Sequence, residues 1–456
     1  MGEDRNTCDS SNTGGTDSEA ERDGRGQSRR QFLAAGTAAS LIALAGCSGG
    51  GDGTPTSTPT STPSSTSTST GTPSDAANYP DEVVIGSVHP FSGSTSYVGK
   101  RLHNAIELAA TIKNENGGIQ SMDGAQVTVI RGDHQNDPTV GGEVARELVD
   151  EGADVLTGTY SSPTASAVTR VAESQQVPFV IDIGVAASIL QERDLEYVYR
   201  AQPNSWSQAA DHIEGLEAVA DQADLELNTL GLYHVDTTYG QAIRDGLRRA
   251  VEDTDMEIVA ETAIGFGETA DTQVTQLRQA DPDVLVPTAF TNQMLGLVSA
   301  MKNQGYWPKV FAACASGGMN QETFQEMGDI INGAFTEGYA LDPNNDRVDE
   351  INQRFMETYD TASMTANVSM AYTTGEVLIE AFEQAGSADP ETLNQTIQEI
   401  EVANHTMAMP PISFDEDGEN ANPLSVTSQV QEMDTRIVYP SQYSEADIRP
   451  DTIGGN

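Results

Sequence analysis

Asp154-Val155-Leu156-Thr157 is followed by Gly158-Thr159-Tyr160-Ser161-Ser162-Pro163-Thr164, then by a helical pattern over residues 165–175 and a second apolar run over 177–183. A short apolar run, a helix and another short apolar run specify strand, crossover helix and parallel strand. The same alternation extends outward on both sides. On the N-terminal side, residues 83–86 read as a strand, and 102–114 as a helix with Leu102, Ile106, Ala109 and Ile112 on one face, stopped by Gly117-Gly118. Residues 126–130 are a further strand, and Pro138 opens a helix with Val140, Val144, Leu148 and Val149 on one side. On the C-terminal side the pattern restarts after about residue 205, with strands at 229–235, 257–260, 283–287 and 309–313 and helices at 239–251, 272–279 and 293–303. A strand near 334–340, helices at 344–359 and 370–384, and a β segment at 426–433 complete the chain. The expected fold class is α/β with two lobes, each a parallel sheet flanked by helices.

The N-terminal end has a different texture. Ser28-Arg29-Arg30-Gln31-Phe32-Leu33 leads into an apolar run that ends in Leu44-Ala45-Gly46-Cys47. The run is about a dozen residues long, whereas a bilayer span needs about 20. Paired arginines, a short apolar core and a small-residue cleavage site describe a twin-arginine export signal ending in a lipobox. The thiol of Cys47 is the lipidation site, and two acyl chains on it would anchor the mature chain stably. Residues 1–47 are therefore read as the lipoprotein signal with its polar extension, and 48–78, rich in Thr, Ser and Pro, as an extended stalk. Cys8 falls in the removed part and Cys314 stands alone in an apolar run, so the mature chain has no disulfide available.

Lys and Arg total 23 against 69 Asp and Glu, a net charge of −46. That sign disfavours a nucleic-acid partner. The acidic residues are scattered among the elements, and 37% of residues are hydrophobic, which argues against an acidic disordered chain. The pattern suits a salt-rich medium of the kind halophilic archaea inhabit. The melting temperature is expected to fall steeply as KCl is lowered from about 1 M to about 0.1 M, because the Debye length grows from about 3 Å to about 10 Å and self-repulsion is unmasked. A melting curve indifferent to salt would contradict this reading.

Motifs for catalysis and cofactors fail. The six histidines (89, 103, 134, 212, 234 and 405) show no metal-ligand spacing. Gly93 to Lys100 has five residues between its glycines where a phosphate loop has four, and Arg101 stands where a Ser or Thr would meet magnesium. Gly265-Phe266-Gly267 lacks the third glycine of a dinucleotide fingerprint, and no G-x-S-x-G elbow occurs. Asp415-Glu416-Asp417-Gly418 is an acidic turn without the rest of a calcium loop. No cofactor or metal is expected.

The loop Tyr160-Ser161-Ser162-Pro163-Thr164 joins a strand's carboxyl end to a helix start. Open α/β sheets bind ligands there, and free helix-start amides favour an anion. Ser and Thr at a helix start are also ordinary caps. On local chemistry alone both readings stand.

From Glu82 to about Asn422 the chain resembles the branched-chain amino-acid-binding protein family, receptors of ABC importers. The resemblance rests on Ile85-Gly86, Pro90-Phe91-Ser92-Gly93 and Gly99, then Gly117-Gly118-Ile119, Asp133, Asp137-Pro138 and Gly158-Thr159-Tyr160-Ser161-Ser162. Val177-Pro178-Phe179, Tyr239-Gly240, Asp281-Pro282-Asp283, Gly305-Tyr306 and Ile412-Ser413-Phe414-Asp415-Glu416-Asp417-Gly418 follow in order. It implies a two-lobed, type I periplasmic-binding-protein fold with three hinge crossovers, closing on a ligand. Lobe one would take 79–202 and 336–405, and lobe two 203–335 and 406–456. It further implies that Ser161, Ser162 and Thr164, beside Tyr160, hold a ligand carboxylate. Gly184, Val185 and Ala186 would add contacts from the next loop, although Ala186 stands where a Thr hydroxyl is common. Tyr239 and Phe290 or Thr291 would cover the ligand from lobe two, and Tyr97 would lie near its side chain.

One departure concerns the α-ammonium. The family's amino-acid receptors hold it with a carboxylate after the strand at 309–313, where this chain reads Cys314-Ala315-Ser316-Gly317-Gly318. A buried ammonium needs a counter-charge. Either Asp236 or Asp182 replaces it, or the ligand is an amide, urea or aromatic acid. The resemblance implies a monomeric, lipid-anchored receptor on the outer face of the membrane, with a small polar solute and an ABC permease as partners. A surface sensor of the same fold is the alternative, and a secreted hydrolase lacks a visible nucleophile–base pair.

Overall fold

The computed structural model describes residues 79–450 apart from Ser94 and Glu192, so the export signal, Cys47 and the stalk at 48–78 lie outside the described residues. The chain opens with β1 (Glu82–His89), α1 (Ser96–Glu115), β2 (Gln126–Asp133), α2 (Pro138–Asp150), β3 (Val155–Gly158), α3 (Ser162–Gln175), β4 (Phe179–Ile181) and β5 (Val198–Arg200). These five strands form one parallel sheet in the order β2-β1-β3-β4-β5. All four residues of β3 are buried, as a strand covered on both faces requires.

A second alternation follows: α4 (Ser205–Ala223), β6 (Thr229–Val235), α5 (Thr238–Ala250), β7 (Glu257–Ile264), α6 (Asp271–Ala280), β8 (Val284–Thr288), α7 (Thr291–Gln304), β9 (Val310–Cys314), α8 (Gln321–Met327) and β10 (Phe335–Gly338). The chain then returns through α9 (Arg347–Tyr359), α10 (Ala366–Ala385) and α11 (Pro390–Glu399) to the first lobe, and ends in β11 (Val426–Gln431) and β12 (Asp434–Tyr439) of the second. The second sheet has seven strands in the order β12-β11-β10-β9-β8-β6-β7, with β11 antiparallel to both neighbours. Crossings between the lobes occur between β5 and α4, after β10, and before β11.

Each sheet is covered on both faces. In the second, Val284 and Val286 of β8 point into one cluster with α4 and α5, while Leu285 points into the other with α6 and α7. This is the period-two alternation of a strand. In the first, α1 and α10 cover one face and α2 and α3 the other.

Three differences from the sequence reading bear on the site. Helix α3 begins at Ser162, so Ser162 and Thr164 lie in its first turn. The strand expected at 177–183 is only Phe179–Ile181, which frees Asp182 to Ala186 as a loop at its carboxyl end. The lobe boundaries also move. Met407, Met409, Ile412 and Phe414 pack in the first lobe's core, not the second's, because short bridges (Val402 to Ile412, Phe414 to Asn420) fold this aperiodic stretch back onto that lobe. β10 pairs with β9 and β11, so lobe two runs through Gly338, past the expected change at 336.

Candidate functional site

In both sheets the strand order reverses once. It reverses between β1 and β3 in the first lobe and between β6 and β8 in the second. Loops at the carboxyl ends of such strands diverge and leave a crevice. The first crevice is bounded by the residues after His89 and by Thr159-Tyr160-Ser161, the second by Asp236-Thr237 and by Ala289-Phe290. Two glycines shape these loops alike. A Cβ on Gly99 would lie 1.9 Å from the Pro90 carbonyl oxygen, and one on Gly240 would lie 2.1 Å from that of Val235. Only glycine lets each helix start press against its strand end.

The two crevices face one another. Ala242 of α5 packs against the first lobe's apolar cluster, and Val185 belongs to a cluster of the second. Tyr160 and Tyr239, one from each lobe, are close enough that the charge of one affects the other. Burial raises the pKa of both phenols, so both stay neutral donors.

The structure brings most of the sequence-predicted residues together, with their polar groups partly engaged. Ser161 caps α3 without a side-chain bond to the helix backbone, and its hydroxyl is 2.8 Å from that of Thr164. Ser162 is buried and its hydroxyl accepts from the Ala186 N–H at 3.3 Å. Gly184 and Ala186 are buried. The Tyr239 hydroxyl donates to the Ala315 carbonyl, and its ring lies 5.3 Å from that of Phe290, which stacks in turn on Phe266 at 6.1 Å. Thr291 opens α7 and its hydroxyl accepts from Asn320 at 3.1 Å. Tyr97 is not drawn in. It is 60% exposed on the first turn of α1, with the Arg101 guanidinium 5.4 Å from its ring centroid.

Sequence reasoning missed a buried polar chain beneath the first crevice. His103 Nδ1 lies 3.1 Å from the Ser87 hydroxyl, which lies 2.9 Å from His89 Nδ1. His89 Nε2 meets Asp182 Oδ2 at 2.8 Å, with both side chains fully buried. Burial, then the charge of His89, pulls His103 down to about 3, so it stays neutral. Asp182 Oδ1 and the Thr159 hydroxyl, both buried, have no hydrogen-bond partner among the described residues. Asp236, the other candidate for the ammonium, is exposed and accepts from Gln241 at 2.9 Å. Tyr339, just after β10, is affected by the charges of both Asp182 and Glu337. Glu337 is pushed up to about 8, first by burial and then by the charge of Asp211.

Residues 82–433 match the periplasmic binding protein family model. The chain belongs to the periplasmic binding protein family. This is a family of binding proteins, not of enzymes, which agrees with the failed catalytic motifs. The chain is 24% identical over 382 residues to a Leu/Ile/Val-binding protein homolog 7 of Brucella suis, covering 81% of this binding protein and 94% of that one. Two solved binding proteins share the fold. One is the branched-chain amino acid transporter substrate binding protein LivJ of Streptococcus pneumoniae in complex with isoleucine (17% identity, TM-score 0.64, 78% of this chain and 97% of that one). The other is a solute binding protein of an ABC transporter of Rhodopseudomonas palustris in complex with 3,4-dihydroxybenzoic acid (19% identity, TM-score 0.65, 78% and 95%).

Proposed function

We propose that this periplasmic binding protein is the solute receptor of an ABC importer and holds a small polar solute, a branched-chain amino acid or a close relative, between its lobes. The observation that carries the reading is the pair of facing switch points, with the unpaired Thr159 hydroxyl and Asp182 Oδ1 buried at one of them. The start of α3, with its cap Ser161 and with Ser162 and Thr164 of its first turn, receives the solute's carboxylate. Asp182 supplies the counter-charge for its ammonium, and Tyr239 with Phe290 covers it from lobe two. Gly184, Val185 and Ala186 shape the wall.

A second reading is an aromatic acid. It is favoured by the loop at 314–318, which carries no acid, and by the rings of Tyr239, Phe290 and Phe266 stacked at the second crevice. A thermal-shift screen in molar KCl against Leu, Ile, Val, amides, urea and hydroxybenzoates separates the readings. A ligand that binds only the folded state raises its melting temperature by mass action. A shift with the aliphatic amino acids supports the first reading, a shift with benzoates the second, and no shift with any of them contradicts both.

The receptor is exported by the twin-arginine route and tethered as a monomer by lipid on Cys47. Among the described residues no helix is long and apolar enough to cross a membrane. Cys47→Ser is expected to move the protein from the membrane fraction to the medium, or to leave it unprocessed. Fractionation and immunoblotting read the outcome, and normal membrane retention of the variant would contradict the anchor.

A further inference from the structure

Helix α4 packs on β9, β10 and β11 and carries His212 over the strand ends where Cys314 and Glu337 are paired in register. One ligand atom from each of His212, Cys314 and Glu337 lies within 4.8 Å of the other two. Their exposures are 3%, 0% and 2%. The Cys314 thiol donates to Glu337 Oε2 at 3.4 Å, and the Ala315 N–H donates to the same oxygen at 3.2 Å. Glu337 Oε1 and His212 Nε2 are buried with no hydrogen-bond partner among the described residues. The Ser425 hydroxyl stands close to Glu337 but is itself outside hydrogen-bond geometry. Unpaired buried polar atoms are costly and rare, and two in one place call for an occupant.

We propose that His212, Cys314 and Glu337 form a binding site for one divalent transition-metal cation, with zinc the best match. Imidazole, thiolate and carboxylate are the ligands zinc takes, at about 2.0–2.3 Å, which sets tetrahedral ligand atoms about 3.3–3.7 Å apart. The observed spacing reaches that with side-chain shifts of about 1 Å. Magnesium and calcium call for oxygen ligands, and two of these three are not oxygen. Thiolate and carboxylate bring two negative charges and the imidazole none, so a divalent ion leaves the buried set neutral. On binding, the thiol S–H bond gives way to a sulfur–metal bond and the carboxyl oxygen of Glu337 bonds the metal, and the thiol proton leaves to solvent together with any proton held by the carboxyl. Asp211 stands beside the set, its carboxylate accepting from the Ser425 N–H at 2.7 Å, and orients α4 against the strand that begins at Val426. The ion would pin α4 to β9 and β10 directly beneath Ala315, the residue whose carbonyl takes the Tyr239 hydroxyl. None of the three ligands is a residue assigned to the solute, so the site stands or falls separately from the solute reading.

The test uses the full chain, unfolded and refolded in molar KCl with ZnCl2 or CoCl2 and then desalted. The expected result is one metal ion retained per chain by elemental analysis, and a thiolate-to-cobalt charge-transfer band in the near ultraviolet. Cys314→Ser should lose that band, even though Cys8 and Cys47 remain as thiols. His212→Gln and Glu337→Gln should keep Cys314 and its band, with cobalt affinity weakened by at least about tenfold, the lower bound of what even an outer-shell change costs. These two variants keep the test decisive if the serine variant folds poorly, which far-ultraviolet circular dichroism without metal would reveal. At one zinc concentration the melting temperature of the wild type should rise more than that of any of the variants. Failure of the wild type to retain metal, or identical cobalt spectra and affinities in the wild type and the variants, would overturn the site.

Discussion

Arg200→Met is expected to destabilise the protein by about 3–5 kcal/mol, the usual consequence of removing one partner of a buried ion pair. Arg200 is fully buried at the end of β5. Its Nε lies 3.2 Å from Glu419 Oε2, and its Nη2 donates to the Ala186 carbonyl at 2.9 Å. Its backbone N–H reaches the Gly418 carbonyl at 2.8 Å. The side chain thus ties the loop after β4 to the stretch between α11 and β11. Burial pulls the guanidinium down and Glu419 pushes it back up, while burial pushes Glu419 up and Arg200 pulls it back. In both partners the net shift follows burial, so the pair holds geometry more than it adds net stability. Methionine at 200 would leave the Glu419 carboxylate buried and unpaired. The double variant Arg200→Met with Glu419→Met should recover most of the loss, since apolar replacements of both partners are often neutral. Urea unfolding in molar KCl measures both. A single variant as stable as the wild type would show that the pair does not hold the loop.

Asp182→Asn is expected to weaken binding of an amino-acid solute by about tenfold to a hundredfold, the equivalent of one charge-assisted hydrogen bond of roughly 1.5–3 kcal/mol. Asn can still accept from His89, so the contact now made at 2.8 Å survives and the fold is preserved. What changes is the charge behind the unpaired Oδ1. A hydroxybenzoate has no ammonium and should bind the variant as well as the wild type. Titration calorimetry distinguishes the cases, and unchanged amino-acid affinity in Asp182→Asn would remove Asp182 from the site.

The alternation of strands and helices is legible because period-two and period-3.6 patterns are local. β6 appears as read, at Thr229–Val235. The Tyr160 to Thr164 loop is legible for the same reason, since strand, loop and helix are adjacent in the chain. The buried polar chain is not. His89 and Asp182 meet because β1 and β4 both flank β3, and they are 93 residues apart in sequence. The pattern at 177–183 reads as strand, so the sequence offers Asp182 only as a counter-charge for an ammonium and not as the partner of His89, and Glu337 falls in a stretch near 334–340 that reads only as strand. Helix α4 escaped notice although Ala209, Ile213, Leu216 and Val219 keep helical spacing, because small residues dilute the signal. Without α4 there is no His212 beside Cys314, and that cysteine reads only as a small buried side chain.

Placement of the solute between the lobes is tested most directly by titration calorimetry on the wild type, Tyr160→Ala and Tyr239→Ala, using whichever solute the thermal-shift screen selects. Tyr160 comes from the first lobe and Tyr239 from the second. A bound solute touching both should lose at least about fivefold in affinity with each variant, since truncating a buried aromatic anchor commonly costs more than about 1 kcal/mol. Weakening by one variant with the other binding as the wild type does would place the solute on a single lobe and contradict the interlobe site.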